Sequence, residues 1–382
     1  MTAVTPRESR RRRDDLVRRL ARADGTVGVF DEVSAGLRRL VPFDSAAWMT
    51  VDPGTGMPTG PTLVEDLPPV TSEQCSEHWR REFIDADVNR FDALVGATRP
   101  AAGLRAVAGD PYRSPRYRRF VQPLGFHDEL RAVLRVGETP WGALTLWRRA
   151  GRPAFTARET DLIAGLSDPI GEALRVRTRP TEALGGLVRH DRPGMMLFDG
   201  AGDLVSLNRQ ARAWLAELPP DESLDTDLGV PVPLWLVITV FRAGTVVHGS
   251  GDGTARARVQ SRRGPWLVCH ASCLDAEAGA SATVAVVIEP AKPAEIAPII
   301  IDAYDLSHRE QQITRSIARG AGTTEIAREI HLSPHTVRDH IKTIFAKAEV
   351  SSRGELVAKL FAEYYEPAYA DHVVRVLGAD RS

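Results

Sequence analysis

Cysteine and long apolar runs are scarce in this sequence of 382 residues. The three cysteines, Cys75, Cys269 and Cys273, are too few and too scattered for a disulfide framework. The longest apolar stretch, "VPVPLWLVITVF" from Val230, is well short of the roughly 20 residues that span a bilayer. The amino terminus also lacks the apolar core of a secretion signal. We therefore expect a cytoplasmic protein without a membrane partner.

An excess of charge of either sign is also absent. The chain has 49 basic and 50 acidic residues, and its net charge of -1 gives no reason by itself to expect nucleic acid. Lysine is rare among the basic residues, and Lys342, Lys347 and Lys359 all lie in the last fifth of the chain. Any DNA-binding hypothesis must therefore depend on local pattern.

The length predicts several domains, since a domain usually has roughly 100 to 200 residues. The amino-terminal "RESRRRRDD" has almost no apolar content and predicts a solvated arm. The predicted order is a disordered basic arm (1–14), an α+β domain (15–178), a linker (179–187), a second α+β domain (188–290), a linker (291–303), an all-α domain (304–363) and a carboxyl-terminal extension (364–382).

Residues 15–178 mix amphipathic helices with alternating strands such as "SAAWMTVD" and the hairpin "DELRAVLRVGETPWGALTLWRR". Thr156, followed three residues later by Glu159, marks the start of a closing helix. The segment "YRRFVQPLGFHDELRAVLRVGETPWGALTLWR" resembles part of a GAF-type sensory domain of actinobacterial regulators. The resemblance implies a possible small-molecule effector between sheet and helices, but no residue identifies it. Three tryptophans are candidates for lining such a pocket, although core packing is the preferred interpretation: Trp79, Trp141 and Trp147.

Residues 188–290 begin with two strands, "MMLFD" and "LVSLN", joined by a glycine-containing turn. Asn208 is placed to cap the helix that follows, because its side chain can accept a first-turn N–H. This order resembles a PAS domain, a class that can carry flavin or haem. Asn208 is followed by Arg209 rather than by the cysteine of the photoreactive flavin type, and His248 and His270 lie in turn or strand contexts. We therefore predict no cofactor.

The motif "CHASC" invites a metal or disulfide hypothesis. On a strand, Cys269 and Cys273 would be about 13 Å apart, at roughly 3.3 Å per residue. A disulfide needs Cα atoms within about 7 Å, and two ligands of one zinc ion need similar closeness. The two cysteines are therefore predicted to be small buried side chains, and no metal site is predicted.

The sequence from residue 304 onward is helical in pattern. Ser307, Thr323 and Ser333 are suitable N-caps, Pro334 suits the first helical position, and Gly320 suits a helix end. Two short helices joined by about three residues, the second well capped and basic, are typical of a helix-turn-helix.

The helix that begins at Pro334 has two faces. Its apolar positions recur at helical spacing and are predicted to pack inward: Val337, Ile341, Ile344, Phe345 and Ala348. The opposite face carries polar side chains at i, i+3, i+4 and i+7: His335, Arg338, Asp339 and Lys342. Amphipathicity alone does not distinguish a solvated face from a DNA-reading one.

The run from Leu306 to Phe361 resembles the DNA-binding domain of LuxR-type (GerE-type) transcription regulators. Many residues fall where that family pattern expects them: Leu306, Arg309, Glu310, Gly320, Glu325, Ile326, Ala327, Ser333, Thr336, Val337, His340, Ile341, Lys347, Val350, Ser352 and Arg353.

This resemblance implies a role for each position. Base-edge contacts are implied for Arg338, Asp339 and Lys342, with His335 on the same face. Phosphate contacts are implied for Thr323, Thr324, Thr336 and Lys347. Pairing of two copies is implied for the last helix through Leu356, Val357, Leu360 and Phe361. An arginine in this place can donate two parallel hydrogen bonds to guanine, whereas an aspartate can at best accept from cytosine.

The sequence thus predicts a transcription regulator that binds double-stranded DNA as a homodimer, and not an enzyme. Two alternatives remain open. One is a GAF-type thiol enzyme that uses Cys75, and the other is a protein-interaction module that has lost DNA binding.

Overall fold

The computed structural model describes residues 6–84, 86–179, 192–249, 254–262, 266–274 and 283–361. The chain divides into two compact units, one formed by Met1–Arg177 with Ala183–Pro290 and the other by Thr178–Glu182 with Ala291–Ser382. The first unit contains both α+β segments, and the second contains the carboxyl-terminal helices. Within the described ranges, no helix has the length and apolarity needed to cross a membrane.

The first α+β segment is built on one antiparallel sheet with the strand order β2-β1-β5-β4-β3. The capping box before its last helix is confirmed, because the Thr156 and Glu159 side chains each accept the other's backbone N–H. Its helices and strands are, in chain order, α1 Pro6–Leu20, α2 Gly25–Leu37, β1 Ser45–Val51, β2 Pro58–Glu65, α3 Ser72–Ile84, α4 Phe91–Gly96, β3 Ala101–Gly103, α5 Leu104–Ala108, β4 Phe126–Val136, β5 Thr139–Arg149 and α6 Ala157–Arg177.

The prediction of a disordered arm over residues 1–14 is wrong for the described part, because α1 is helical from Pro6. Leu16 and Leu20 are fully buried or nearly so, since α1 packs against α2 and α6. The basic stretch also finds partners: Arg13 donates to the Gly165 carbonyl at 2.9 Å, which ties α1 to α6. Because Leu16 and Leu20 are buried at the carboxyl end of α1, the arginine-rich beginning of the same helix is also helical.

The sheet of the first segment is covered on both faces. On one face the approach is close, because a Cβ at Gly142 would lie 2.6 Å from Leu174 of α6. The three tryptophans weighed as pocket residues, Trp79, Trp141 and Trp147, are all buried. Trp79 and Trp147 belong to apolar core clusters, as the core interpretation predicts.

The other face carries a buried cluster of charged side chains. Arg131 of β4 donates to Glu82 of α3 at 2.7 Å, and Arg116 lies 2.9 Å from Glu129 of β4. The side chains of these four residues are each at most 5% exposed. Buried charges are tolerated only when they are paired and hydrogen-bonded, so this network fixes α3 and the Arg116 segment against the sheet.

The second α+β segment has its own antiparallel sheet, ordered β10-β11-β12-β6-β7. The predicted Asn208 cap is confirmed, since its side chain accepts the Ala211 N–H at 2.7 Å. Cys269 is buried on a strand and Cys273 is partly exposed; both are free thiols. The elements are β6 Gly194–Phe198, β7 Leu204–Leu207, α7 Arg209–Glu217, β8 Ser223–Leu224, β9 Val232–Pro233, α8 Leu234–Gly244, β10 Thr254–Gln260, β11 Trp266–Leu274 and β12 Thr283–Pro290.

The two α+β segments share one apolar core rather than forming separate globules. A single cluster of buried side chains runs from Met49 and Trp79 in the first segment to Trp235 and Ile288 in the second. The segments are also joined by polar contacts at the edge strand β2, where Thr62 donates its backbone N–H to Asp221 at 2.7 Å. Burial raises the pKa of Asp221 to about 6, against the opposing hydrogen bonds from Thr62.

The second unit contains five helices within its described residues: α9 Pro293–Ala303, α10 His308–Ala318, α11 Thr323–Glu329, α12 Pro334–Ala348 and α13 Arg353–Phe361. The predicted linker 291–303 is therefore wrong, since α9 is helical and packs against α13 with Ile296 and Ile299 buried. Most of the linker predicted at 179–187 lies outside the described residues, as does the extension 364–382. Its first residue, Arg179, donates to the Ala303 carbonyl at 3.0 Å.

Candidate nucleic-acid interface

The caps predicted for α10 and α12 are confirmed. Ser307 accepts the N–H of Glu310, and Ser333 accepts the N–H of Thr336 at 3.1 Å, with Pro334 at the first helical position of α12. The cap predicted for α11 is wrong by one residue, because Gly322 is the N-cap and Thr323 is the first helical residue.

The turn between α11 and α12 is closed by backbone geometry. His331 adopts a left-handed φ of 56°, and the N–H of Leu332 donates to the Ala327 carbonyl at 2.9 Å. This is the arrangement by which a helix end satisfies its last carbonyls while the chain reverses. The turn therefore fixes the direction in which α12 leaves α11.

The apolar face of α12 lies inward as predicted. Val337, Ile344 and Ala348 are fully buried, Ile341 is 8% exposed, and Phe345 is half-buried. Because these buried side chains fix the orientation of α12 about its own axis, they also determine which residues lie on its outer face.

The outer face of α12 brings the four predicted base-contacting residues together at the surface. The side chains of His335 and Lys342 are 81% and 80% exposed, and Arg338 is exposed as well. Asp339 lies between them, with its carboxylate 3.1 Å from His335 Nδ1 and 3.6 Å from Lys342 Nζ. Among the described residues, no hydrogen bond or ion pair engages the Arg338 guanidinium.

The three predicted phosphate-contacting threonines lie at the starts of α11 and α12. Thr324 is exposed, whereas Thr323 and Thr336 are half-buried. The Thr336 hydroxyl lies 2.9 Å from the hydroxyl of Ser333. The structure thus places hydroxyls near the beginning of both helices of the motif.

Lys347, predicted to hold phosphate, forms hydrogen bonds within the domain. Its ammonium donates to the Asp305 carbonyl at 2.7 Å and to the Glu310 carboxylate at 2.8 Å. Burial alone would raise the pKa of Glu310, but the hydrogen bonds from Lys347 and Ser307 outweigh it and hold that pKa below its ordinary value. We therefore assign Lys347 to positioning α12 on α10.

Arg353 is a residue of this surface whose role the sequence pattern did not assign. It begins α13, and its guanidinium reaches back to the turn before α11, where it donates to the Ala321 carbonyl and to the Thr323 hydroxyl, both at 2.8 Å. Sequence spacing gives no signal for this contact, because the partners are some thirty positions away.

The residues predicted for pairing of two copies are not all available. Leu356 is 0% exposed within the domain, so its assignment to dimerisation is wrong. Val357 is half-buried. The side chains of Leu360 and Phe361 lie outside the part of the chain that the structure describes.

The geometry around Cys75 does not resemble that of a reactive thiol. Its side chain lies in the apolar core shared by the two α+β segments, and burial raises the pKa of the thiol to about 12. A thiolate is the nucleophilic form of cysteine, and at neutral pH this environment disfavours it strongly.

Comparison with known proteins finds a family match within the second unit. Residues 305–360 match the family described as bacterial regulatory proteins, luxR family (GerE). The monoamine regulon transcriptional regulator of Klebsiella aerogenes is 41% identical over 54 residues, which are 14% of this chain and 24% of that protein. The chain thus covers about a quarter of the length of the curated relatives that it matches.

Two solved structures show weaker likenesses. Escherichia coli SdiA is 12% identical with a TM-score of 0.33, covering 91% of this chain and 94% of SdiA. A GAF domain from a phosphoenolpyruvate-protein phosphotransferase of Coxiella burnetii is 14% identical with a TM-score of 0.29, covering 44% of this chain and 92% of that domain. Both scores are low, so neither likeness carries an argument about the first unit. The carboxyl-terminal segment 305–360 is a LuxR-type helix-turn-helix domain.

Proposed function

We propose that this protein is a transcription regulator that binds double-stranded DNA through α12. The observation that carries the proposal is the exposed outer face of α12, held in place by a buried inner face and presented at the end of a capped helix-turn-helix. Arg338 and Lys342 are its donors to base edges, and the uncommitted guanidinium of Arg338 suits bidentate bonding to guanine. His335 and Asp339 complete the face.

Phosphate contacts would hold this helix in register. Thr323, Thr324 and Thr336 offer hydroxyls at the helix starts, and hydroxyl-to-phosphate bonds position a protein on DNA without reading sequence. Lys347 is left out of this set, because its ammonium already bonds to Glu310 and Asp305.

We also propose that the protein acts as a homodimer on an inverted repeat. Two-fold related recognition helices bind half-sites about one helical turn apart. We propose that the two copies pair through α13, with Val357, Leu360 and Phe361 as the candidate residues.

The first unit, in this proposal, is sensory and cytoplasmic, with a GAF-like and a PAS-like domain. Its buried polar cluster supports a role in sensing a small molecule, because Arg131 Nε and Asn89 Nδ2 are buried there without a hydrogen-bond partner among the described residues. A polar effector at this face would find donors. Such an effector would alter DNA binding only by favouring one arrangement of the protein over another.

The experiment that tests the proposal is selection of duplexes from a random-sequence pool by the purified full-length protein. We expect enrichment of an inverted repeat, with binding that weakens steeply as salt rises because phosphate contacts release counterions. A matched control protein with Arg338→Ala and Lys342→Ala should enrich no motif. If the wild-type protein enriches none either, the DNA-binding proposal is wrong, and the hypothesis of an interaction module gains support.

A further inference from the structure

The guanidinium of Arg353 contacts the hydroxyl of Thr323. This hydroxyl lies at the start of α11, where we propose that DNA phosphates bind. The Arg353 side chain is half-buried, and its two terminal nitrogens bond to different acceptors: one to the Ala321 carbonyl and the other to the Thr323 hydroxyl oxygen, each at 2.8 Å. Ala321 lies two residues before α11, and Thr323 is the first residue of that helix.

The hydrogen-bond donors and acceptors that each group has determine how the Thr323 hydroxyl is oriented. A threonine hydroxyl has one hydrogen to donate and two lone pairs that accept, whereas a guanidinium can only donate. Thr323 must therefore be the acceptor in this contact, and its own hydrogen is directed away from Arg353. The hydroxyl is thereby left as a donor, and a donor is what a phosphate oxygen requires.

The second arm of Arg353 occupies one lone pair of a carbonyl that is close to Thr323 in sequence. Threonine hydroxyls readily donate to backbone carbonyls close by in sequence, and the Ala321 carbonyl lies two residues before Thr323. Because Arg353 already bonds to that carbonyl, the Thr323 hydrogen has less reason to turn inward. The two contacts of one guanidinium thus act in the same direction.

We propose that Arg353 is a positioning residue for DNA binding, which orients the Thr323 hydroxyl as a donor to a backbone phosphate. This inference rests on the proposed DNA-binding function and adds a residue to it. In this proposal Arg353 acts through Thr323, because two of its five N–H donors bond to Ala321 and Thr323 within the domain.

The test is a double-mutant cycle in the full-length protein, with Thr323→Val, Arg353→Gln and the combination of both. Affinity is measured for a labelled duplex that the wild-type protein selects from random sequence. We expect Thr323→Val to weaken binding roughly threefold to tenfold, as the loss of one hydrogen bond implies. Arg353→Gln should weaken it by a similar factor. The double variant should bind within about twofold of Thr323→Val alone, because both changes remove the same contact.

Salt dependence separates this role from a direct one. If Arg353 only orients a neutral hydroxyl, the slope of log affinity against log salt stays unchanged in Arg353→Gln. If Arg353 neutralises a phosphate itself, the slope falls in magnitude by about 0.9, and the proposal is overturned. Independent, multiplying effects of the two substitutions would also overturn it.

Two further variants guard against loss of folding. Arg353→Lys keeps a multiple donor and should restore most of the affinity, and Thr323→Ser keeps the hydroxyl and should bind nearly as the wild type does. A merely structural role for Arg353 would instead lower affinity to the same extent with valine at position 323 as with threonine.

If the wild-type protein selects no duplex, the proposed function is wrong and this inference is wrong with it. If the wild-type protein selects a duplex but the effects of the two substitutions are independent, only the inference is wrong.

Discussion

The ammonium of Lys347, near the end of α12, lies 2.8 Å from the carboxylate of Glu310 in α10. The Glu310 side chain is 6% exposed and also accepts the backbone N–H of Ser307. One carboxylate therefore closes the capping box of α10 and holds α12 against it. The orientation of the proposed DNA-reading helix depends on this pair.

We predict that Lys347→Met destabilises the second unit by about 1 to 3 kcal/mol, because it leaves the buried Glu310 carboxylate without its cation. The pKa of Glu310 is lowered in the folded state, so its contribution to stability is complete above the ordinary glutamate range and is lost as pH falls through the lowered value. In Lys347→Met this stabilisation is absent, so the free energy of unfolding should fall less steeply with acidification than in the wild type, and the two proteins should become more alike at low pH.

The measurement is unfolding followed by circular dichroism and by tryptophan fluorescence across the acid range. All seven tryptophans lie between Trp48 and Trp266, so fluorescence reports the first unit and should not change. Lys342→Met is the matched control, because its contact with Asp339 is exposed and exposed ion pairs contribute little. Equal stability of the wild type and Lys347→Met at neutral pH would refute the prediction.

Arg338→Ala should cost about 1 to 3 kcal/mol in binding the selected duplex and should relax the base preference at one position of each half-site. The reason is the loss of a bidentate contact that only one base pair can satisfy. Repeating the duplex selection with the variant measures the preference. Stability should be unchanged, since the side chain is exposed and has no hydrogen bond or ion pair among the described residues. An unaltered motif would remove Arg338 from base reading.

Asp339→Asn should strengthen binding to DNA of arbitrary sequence and so reduce discrimination. Its carboxylate is repelled by phosphates and lies beside both His335 and Lys342, which lowers the local positive potential. The quantity to measure is the ratio of affinities for selected and scrambled duplexes at one salt concentration. A ratio that stays the same or rises would show that Asp339 does not restrict binding.

Local patterns predicted many features of the chain but not its long-range contacts. Ser333 and Asn208 were identifiable as caps because a cap depends on residues within one turn. Lys347 was assigned to phosphate on the resemblance to LuxR-type domains, because nothing in the local sequence indicates a contact within the domain. Its real partner, Glu310, is brought near by the packing of two helices.

The errors in the predicted boundaries have a similar cause. Residues 291–303 were predicted to be a linker, yet Pro293 stands at a helix start and α9 packs on α13. The arm over residues 1–14 appeared too polar to fold, but α1 is anchored from its other end by Leu16 and Leu20. In both segments tertiary contacts outside the sequence window decide the structure.

The last prediction concerns the junction of the two α+β segments. Arg258 of β10 bonds to both oxygens of Asp52 beside β1, and the two side chains are 3% and 0% exposed. Arg258→Met should destabilise the first unit by about 3 to 5 kcal/mol, because it leaves a fully buried carboxylate unpaired.

Arg256→Met, on the same strand but half-exposed, is the control and should have little effect. Adding Asp52→Asn to Arg258→Met should recover part of the lost stability, since it removes the unpaired negative charge at position 52. Denaturant unfolding followed by tryptophan fluorescence measures all three. Equal stability of Arg258→Met and Arg256→Met would show that the Asp52 contact does not hold the two segments together.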